Sequence, residues 1–273
     1  MLIALVVGVF LTLSAYVVTS LNTSLHADRV VQRVYAKQRA YHALVSIVPY
    51  VLDALRKDKK DTDTLSDPWA LPLVVETEEG ELEIRIRDED RFFNLNTVGR
   101  GETHGEVFGR LLELLGISPA YLHRVRDLIE EKGALLSPHE LRHIGMGGEE
   151  LYGRREGDVR YPGILELVTV WSSGRININT APKYVLMALD PSIDETVAQR
   201  IMEYRASKPF KRVEDFVLVE GVTFDTLHRI SSLIDVRSTH FRVELSVRNG
   251  DVETTLSVIY DRKRDRIVFG RIY

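Results

Sequence analysis

The sequence predicts an α+β protein: a long N-terminal helix packed on an antiparallel sheet, with a large α domain inserted between the strands. Three observations carry this. An uncharged apolar start runs straight into an amphipathic helical rod. Segments 240–248, 252–260 and 266–273 close the chain with strand-like alternation. Between those ends two phrases nearly repeat each other, Phe93-Asn94-Leu95-Asn96-Thr97 and Ile176-Asn177-Ile178-Asn179-Thr180. Each leads into helical sequence, so the insertion reads as two copies of one small unit.

Residues 2–18 carry no charge, and only Thr12 and Ser14 are clearly polar. At about 1.5 Å per residue this lies near the short limit for crossing a bilayer. A secretory signal would need a basic n-region and a small-residue cleavage site, and neither is evident. Leu2, Leu5, Phe10 and Val18 are therefore expected to lie in a single membrane-spanning helix. Beyond it Val30, Val34, Tyr41, Val45, Val48, Leu52 and Leu55 recur at helical spacing among Asp28, Arg29, Arg33, Lys37 and Arg39. The rod is expected to continue to residue 56, with Pro49 kinking or breaking it. A helix half in a membrane and half on a soluble domain reads as an assembly element.

The bulk numbers remove several function classes. With 273 residues and 44% hydrophobic content, one or two folded domains plus an anchor are expected. A net charge of −4 offers no general attraction to nucleic acid. Zero cysteines exclude disulfides, thiol catalysis and thiolate metal sites.

A charged linker at 57–67 leads to strand candidates at 71–75 and 81–87, joined by a Glu79-Gly80 turn. Residues 163–170 read as a further strand, and Asn249-Gly250 as the two-residue turn of a C-terminal hairpin. The division expected is a helix at 1–56, a sheet domain from 57–93, 163–175 and 236–273, and helical units at 94–162 and 176–235. Within the repeat, Asn94, Asn96, Asn177, Asn179 and Thr180 are helix-starting residues whose side-chain oxygens accept unpaired backbone N–H groups, with Pro182 close behind. A shorter second helix in each unit carries Leu141 or Phe216.

His139-Glu140-Leu141-Arg142-His143 matches the H-E-x-x-H zinc pattern. Its setting disfavours a metal. Ser137-Pro138-His139-Glu140 reads as a capped helix start, and Gly145 ends the helix almost at once. Val213-Glu214-Asp215-Phe216 fills the same place in the second copy without histidine. The carboxylates Asp58, Asp61, Asp63 and Asp67, and Asp88, Glu89 and Asp90, lack the spacing of a calcium loop and read as solvated surface charge.

Two families share the Asn-x-Asn-Thr opening. One is the helix-hairpin-helix DNA-binding group, whose Gly-hydrophobic-Gly turn presents N–H groups to phosphate. Here Leu189-Asp190-Pro191-Ser192-Ile193 and Glu220-Gly221-Val222-Thr223 depart from that turn. The chain resembles, over nearly its whole length, the type II secretion minor pseudopilin K family. The resemblance rests on Asp67-Pro68-Trp69-Ala70, on Asp88-Glu89-Asp90-Arg91-Phe92-Phe93-Asn94-Leu95-Asn96, on Glu140-Leu141-Arg142 followed by Gly145-Met146, on 171–182, and on Pro209-Phe210.

That resemblance implies a non-enzymatic protein anchored in the inner membrane by one helix, with its head in the periplasm. It implies a place at the tip of a short pseudopilus beside the I-type and J-type minor pseudopilins, capping the fibre and initiating its assembly. The insertion would be two helix-hairpin-helix/SAM-like units, with no nucleic-acid partner. No cofactor is required, and calcium is compatible with the family although no ligand set carries over. The family is made with a basic leader that a prepilin peptidase removes, so that enzyme is a partner if a leader precedes Met1. Leu5 stands where most pseudopilins carry Glu and the K family does not. The alternative reading is a membrane-anchored helix-hairpin-helix protein binding DNA in an uptake system.

Overall fold

The computed structural model describes the backbone of all residues except Met1, Lys59, Glu79 and Asp251. Side chains are described apart from those four residues and 2–13, 15, 18 and 21–29.

Helix α1 (Leu2–Lys57) is one uninterrupted element, about 84 Å long at 1.5 Å per residue. The helix runs on through Pro49, so the break that the sequence allowed there does not occur. The ring is exposed while Leu44, Val48, Val51 and Leu55 bury against the sheet around it. That packing outweighs the one helical hydrogen bond a proline removes. The buried face therefore follows Ala40, Leu44, Val48, Val51 and Leu55, at spacings of three and four.

Strands β1 (Leu73–Thr77) and β2 (Gly80–Asp88) follow. Gly80 holds φ +123°, and a Cβ there would meet the Arg248 carbonyl oxygen at 2.2 Å, so only glycine lets the strands approach. The insertion comes next. Its first unit contains β3 (Phe93–Asn94), α2 (Glu102–Leu114), α3 (Tyr121–Lys132), a 3-10 helix at Pro138–Ile144 and α4 (Gly148–Tyr152). It ends with the hairpin β4 (Gly153–Glu156) and β5 (Val159–Pro162), then β6 (Val168–Thr169). The second unit contains β7 (Ile176–Asn177), α5 (Lys183–Leu189), α6 (Glu195–Ser207), a 3-10 helix at Val213–Leu218, α7 (Phe224–Ile230) and β8 (Ile234–Asp235). Strands β9 (His240–Asn249), β10 (Val252–Asp261) and β11 (Arg266–Ile272) close the chain.

The main sheet runs β1-β2-β9-β10-β11, antiparallel throughout. Phe241, Val243, Leu245 and Val247 alternate inward and meet α1 with Leu256, Val258 and Tyr260. Two corrections concern strands. Asn249 pairs with Val252 and so ends its strand rather than opening the turn, and Gly250 beyond it takes φ +56°. Residues 163–170 do not join the sheet: Val168 and Thr169 pair in parallel with Phe93 and Asn94, inside the helical domain.

That pairing has a twin. Ile176 and Asn177 pair in parallel with Ile234 and Asp235. Each unit is thus a closed loop whose first two residues are stitched to its last two. The 163–175 segment belongs to the helical core, because Ile164, Leu167, Val168 and Val170 are buried there with Phe108, Leu111, Ile178, Leu186, Ile201 and Phe216. The two units share this one core and pack on each other. Arg110 of α2 fixes the contact by donating to the last carbonyls of α5, at Ala188 and Leu189, both at 2.8 Å.

Candidate assembly interface and its buried joint

The Asn-x-Asn phrases do more than start helices. In each copy the first Asn accepts the backbone N–H of the second across 2.9 Å, closing a tight turn. The second Asn reaches across its unit. Asn96 accepts from Leu135 N at 2.8 Å and donates to Leu135 O at 3.0 Å. Asn179 accepts from Phe210 N at 2.9 Å and donates to Phe210 O at 2.9 Å. An amide side chain mimics a strand here, donating and accepting at one remote residue. Asn94 thereby caps the short 3-10 helix Leu95–Thr97, as its sequence position suggests. The longer helices of the second unit are capped elsewhere: Pro182 stands as N-cap of α5 at φ −70°, and Asp194 accepts from Val197 N at the start of α6.

The carboxylates read as surface charge are largely buried, and this is a correction. Asp63, Asp67, Asp88, Glu89 and Asp90 are each 4% exposed or less, while Asp61 is exposed. Asp67 is held locally, accepting from Thr64 N at 2.7 Å and pairing with Lys60, whereas the other four are buried because they join the sheet to the helical domain. Asp88 accepts from Thr180 Oγ1 and Ser238 Oγ at 2.6 Å, from Asn177 Nδ2 at 3.3 Å and from Asp90 N at 2.7 Å. Asp90 accepts from Ser173 N and from Thr239 N and Oγ1. Glu89 accepts from Arg242 Nε at 2.7 Å and from the Thr169 hydroxyl. Asp63 makes a two-pronged pair with Arg262 and accepts from Ser238 N at 2.7 Å. Three consecutive acids thus hold unit one, unit two and the third sheet strand together. Burial first, then the charges of Asp90 and Asp63, push the Asp88 carboxyl above its ordinary range. Burial likewise raises Asp63, against the lowering effect of Arg262.

The zinc pattern is taken apart by its geometry. Pro138–Ile144 is a 3-10 helix, about three residues per turn, so residues four apart do not share a face. Glu140 is committed to a capping box, accepting from Leu136 N at 2.7 Å and Ser137 N at 3.1 Å, with Lys132 at 2.6 Å. Asp215 does the same in unit two, accepting from Lys211 N and Arg212 N at 3.1 Å. Among the described residues no three His, Asp or Glu side chains are grouped to hold a metal ion.

The hairpin that would face phosphate in a DNA-binding unit is filled from within. Asp190 accepts from Arg229 Nε at 2.7 Å and Nη2 at 2.9 Å, and from Ser192 N at 2.9 Å. Burial pushes this carboxyl up, but those hydrogen bonds prevail and hold it at about 2. An ionised acid sits where a phosphate would have to approach.

On α1, Val30, Val34, Tyr41 and Val45 are 61, 59, 40 and 42% exposed. At 3.6 residues per turn they fall within an arc of about 60°. Val31, Tyr35, Tyr16 and Val17 add further exposed apolar area on the same helix. Leu2, Leu5, Phe10 and Val18 have side chains outside the described residues. Among the described residues no helix is long and apolar enough to cross a membrane.

A long helix with an exposed apolar stripe, laid on an antiparallel sheet that carries an inserted α domain, defines a pilin-like fold. Residues 176–237 match the family model described as "Type II secretion system (T2SS), protein K". The fold resembles a chain in the crystal structure of the GspK-GspI-GspJ complex from the enterotoxigenic Escherichia coli type 2 secretion system. The TM-score is 0.58 at 18% identity, over 89% of this chain and 98% of that one. The matched segment is thus similar to the type II secretion protein K family that the sequence resembles, and the fold around that segment is shared with a chain of the GspK-GspI-GspJ complex.

Two curated relatives are similar over a short stretch only. Both are endonuclease/exonuclease/phosphatase family domain-containing protein 1. The protein from Danio rerio is 48% identical over 65 residues and that from Xenopus laevis 46% over 68, covering 23% and 24% of this chain. The matched stretch spans 12% of the length of each.

Proposed function

We propose that the chain is a minor pseudopilin that caps the tip of a type II secretion pseudopilus and helps to initiate its assembly. The carrying observation is the apolar stripe Val30–Val34–Tyr41–Val45, left uncovered on a helix whose neighbouring face is buried. Exposed apolar area of this kind marks a contact surface. The partners would be I-type and J-type minor pseudopilins, as in the complex that shares the fold. Residues 2–18 would anchor the chain in the inner membrane with the head in the periplasm. The role is structural: the histidine pair and the hairpin acid are both committed to internal bonds. Calcium stays a proposal without assigned ligands.

The test is complementation in cells lacking the chain, read as secreted protein and as pseudopilus number. The wild-type chain should restore both. A chain carrying Val34→Asp and Val45→Asp, present at normal levels, should restore neither, and full restoration by it would overturn the proposal.

A further inference from the structure

Where β10 ends and turns toward β11, a cleft of about 440 Å³ lies at the junction of sheet and helical domain, lined from the sheet side by His240, Asp261, Lys263 and Arg264. Four separate segments bring cations to it: Arg100, Arg175, Arg237, and Lys263 with Arg264. Its carboxylates are already engaged. Asp235 pairs with Arg175 at 3.0 Å, and Asp261 accepts from Arg264 N at 3.0 Å and Nη1 at 3.2 Å. Among the described residues the side chains of Arg100, Arg237 and Lys263 have neither ion pair nor hydrogen bond. The chain as a whole carries more acid than base, 40 Asp and Glu against 36 Lys and Arg, so this local excess runs against composition.

Cationic side chains on a sheet edge often serve only to block edge-to-edge pairing. That accounts for Arg266 and Arg271 on β11. It does not account for Arg100 and Arg237, which come from the helical domain and from the loop after β8. The cleft also opens into a second one of about 430 Å³ that shares Ser172, His240, Asp261 and Arg264. Its floor is apolar, with Val170, Trp171 and Ile267. A cationic rim over an apolar floor discriminates between anions. A free phosphate uses only the rim. Duplex DNA needs a broad basic face, and the cations here gather around a single cleft.

We infer that the cleft docks an extended segment of a partner polypeptide in which acidic and apolar residues alternate. The acids meet Arg100, Arg237 and Lys263, and the apolar residues settle against Trp171 and Ile267. Charge complementarity steers the encounter and sets the orientation.

The test uses the full chain purified in detergent and a dye-labelled short peptide alternating Asp and Leu, read by fluorescence anisotropy. A Lys–Leu peptide and a short DNA duplex serve as comparators. The Asp–Leu peptide should bind, weakening as salt rises. Arg237→Glu with Lys263→Glu should weaken it about tenfold or more, and the Gln pair less. Both residues are exposed, so the melting temperature should not move. The inference is overturned by no binding of the Asp–Leu peptide, by equal binding in the Glu variant, or by tighter binding of the Lys–Leu peptide or the duplex.

Discussion

Thr180 donates its hydroxyl hydrogen to Asp88 across 2.6 Å, so the second Asn-x-Asn-Thr phrase ends on a carboxylate of the sheet. The first phrase has no such link: Thr97 donates to the Asn94 carbonyl at 2.7 Å within its own turn. One copy closes on itself and the other locks the helical domain to β2. Thr180→Val should strip one donor from a buried, ionisable acceptor and cost about 1–3 kcal/mol. Thr97→Val should cost less, because a backbone carbonyl beside it keeps other options. Urea midpoints of the two variants check the ordering.

Asn96 and Asn179 clamp equivalent loops, so their loss should be felt alike. Replacing either with Ala leaves a buried N–H and C=O pair unmet, at Leu135 or at Phe210. Each should destabilise by roughly 1–3 kcal/mol. Hydrogen exchange should show the loss of protection centred on 135 in one variant and 210 in the other.

The Asp88 carboxyl is raised on folding by burial and by its acidic neighbours. A raised acid holds its proton more tightly in the folded chain. Its contribution therefore makes stability fall as pH climbs above the ordinary carboxylate value of about 4. Asp88→Asn keeps the shape and should flatten that slope, measured as unfolding midpoints across the range.

Asp190 works in the opposite sense, since hydrogen bonds from Arg229 and Ser192 overcome burial and hold it at about 2. Its stabilisation is present above the ordinary carboxylate value and is lost as pH falls through about 2. Asp190→Asn should cost on the order of 1 kcal/mol near neutral pH, allowing for the half-exposed Arg229, and nothing in strong acid. Thermal melts at both ends of the range separate the two.

Much of this was legible in the sequence, in the places where one local rule decides. Alternation at Phe241, Val243, Leu245 and Val247 marks the sheet, and the capping residues Ser137 and Glu140 explain away the zinc pattern. What escaped depends on distant partners. Asp88, Glu89 and Asp90 look like surface charge until Asn177, Ser238, Thr239 and Arg242 arrive from far along the chain. Residues 163–170 have strand composition, yet two of them suffice to close a helical unit rather than extend a sheet. The division of the helix face depends on distant partners too. Ala40 and Leu44 bury because the sheet happens to lie there, while the equally apolar Val34 and Val45 stay uncovered.

That uncovered stripe carries the central claim. The direct measurement is co-purification of the full chain with I-type and J-type minor pseudopilins, wild type against Val34→Asp with Tyr41→Asp. Both positions are exposed in the single chain, so the variant should fold and melt as wild type does. The account predicts a stable complex for wild type and none for the variant. A complex of equal yield with the variant would contradict it.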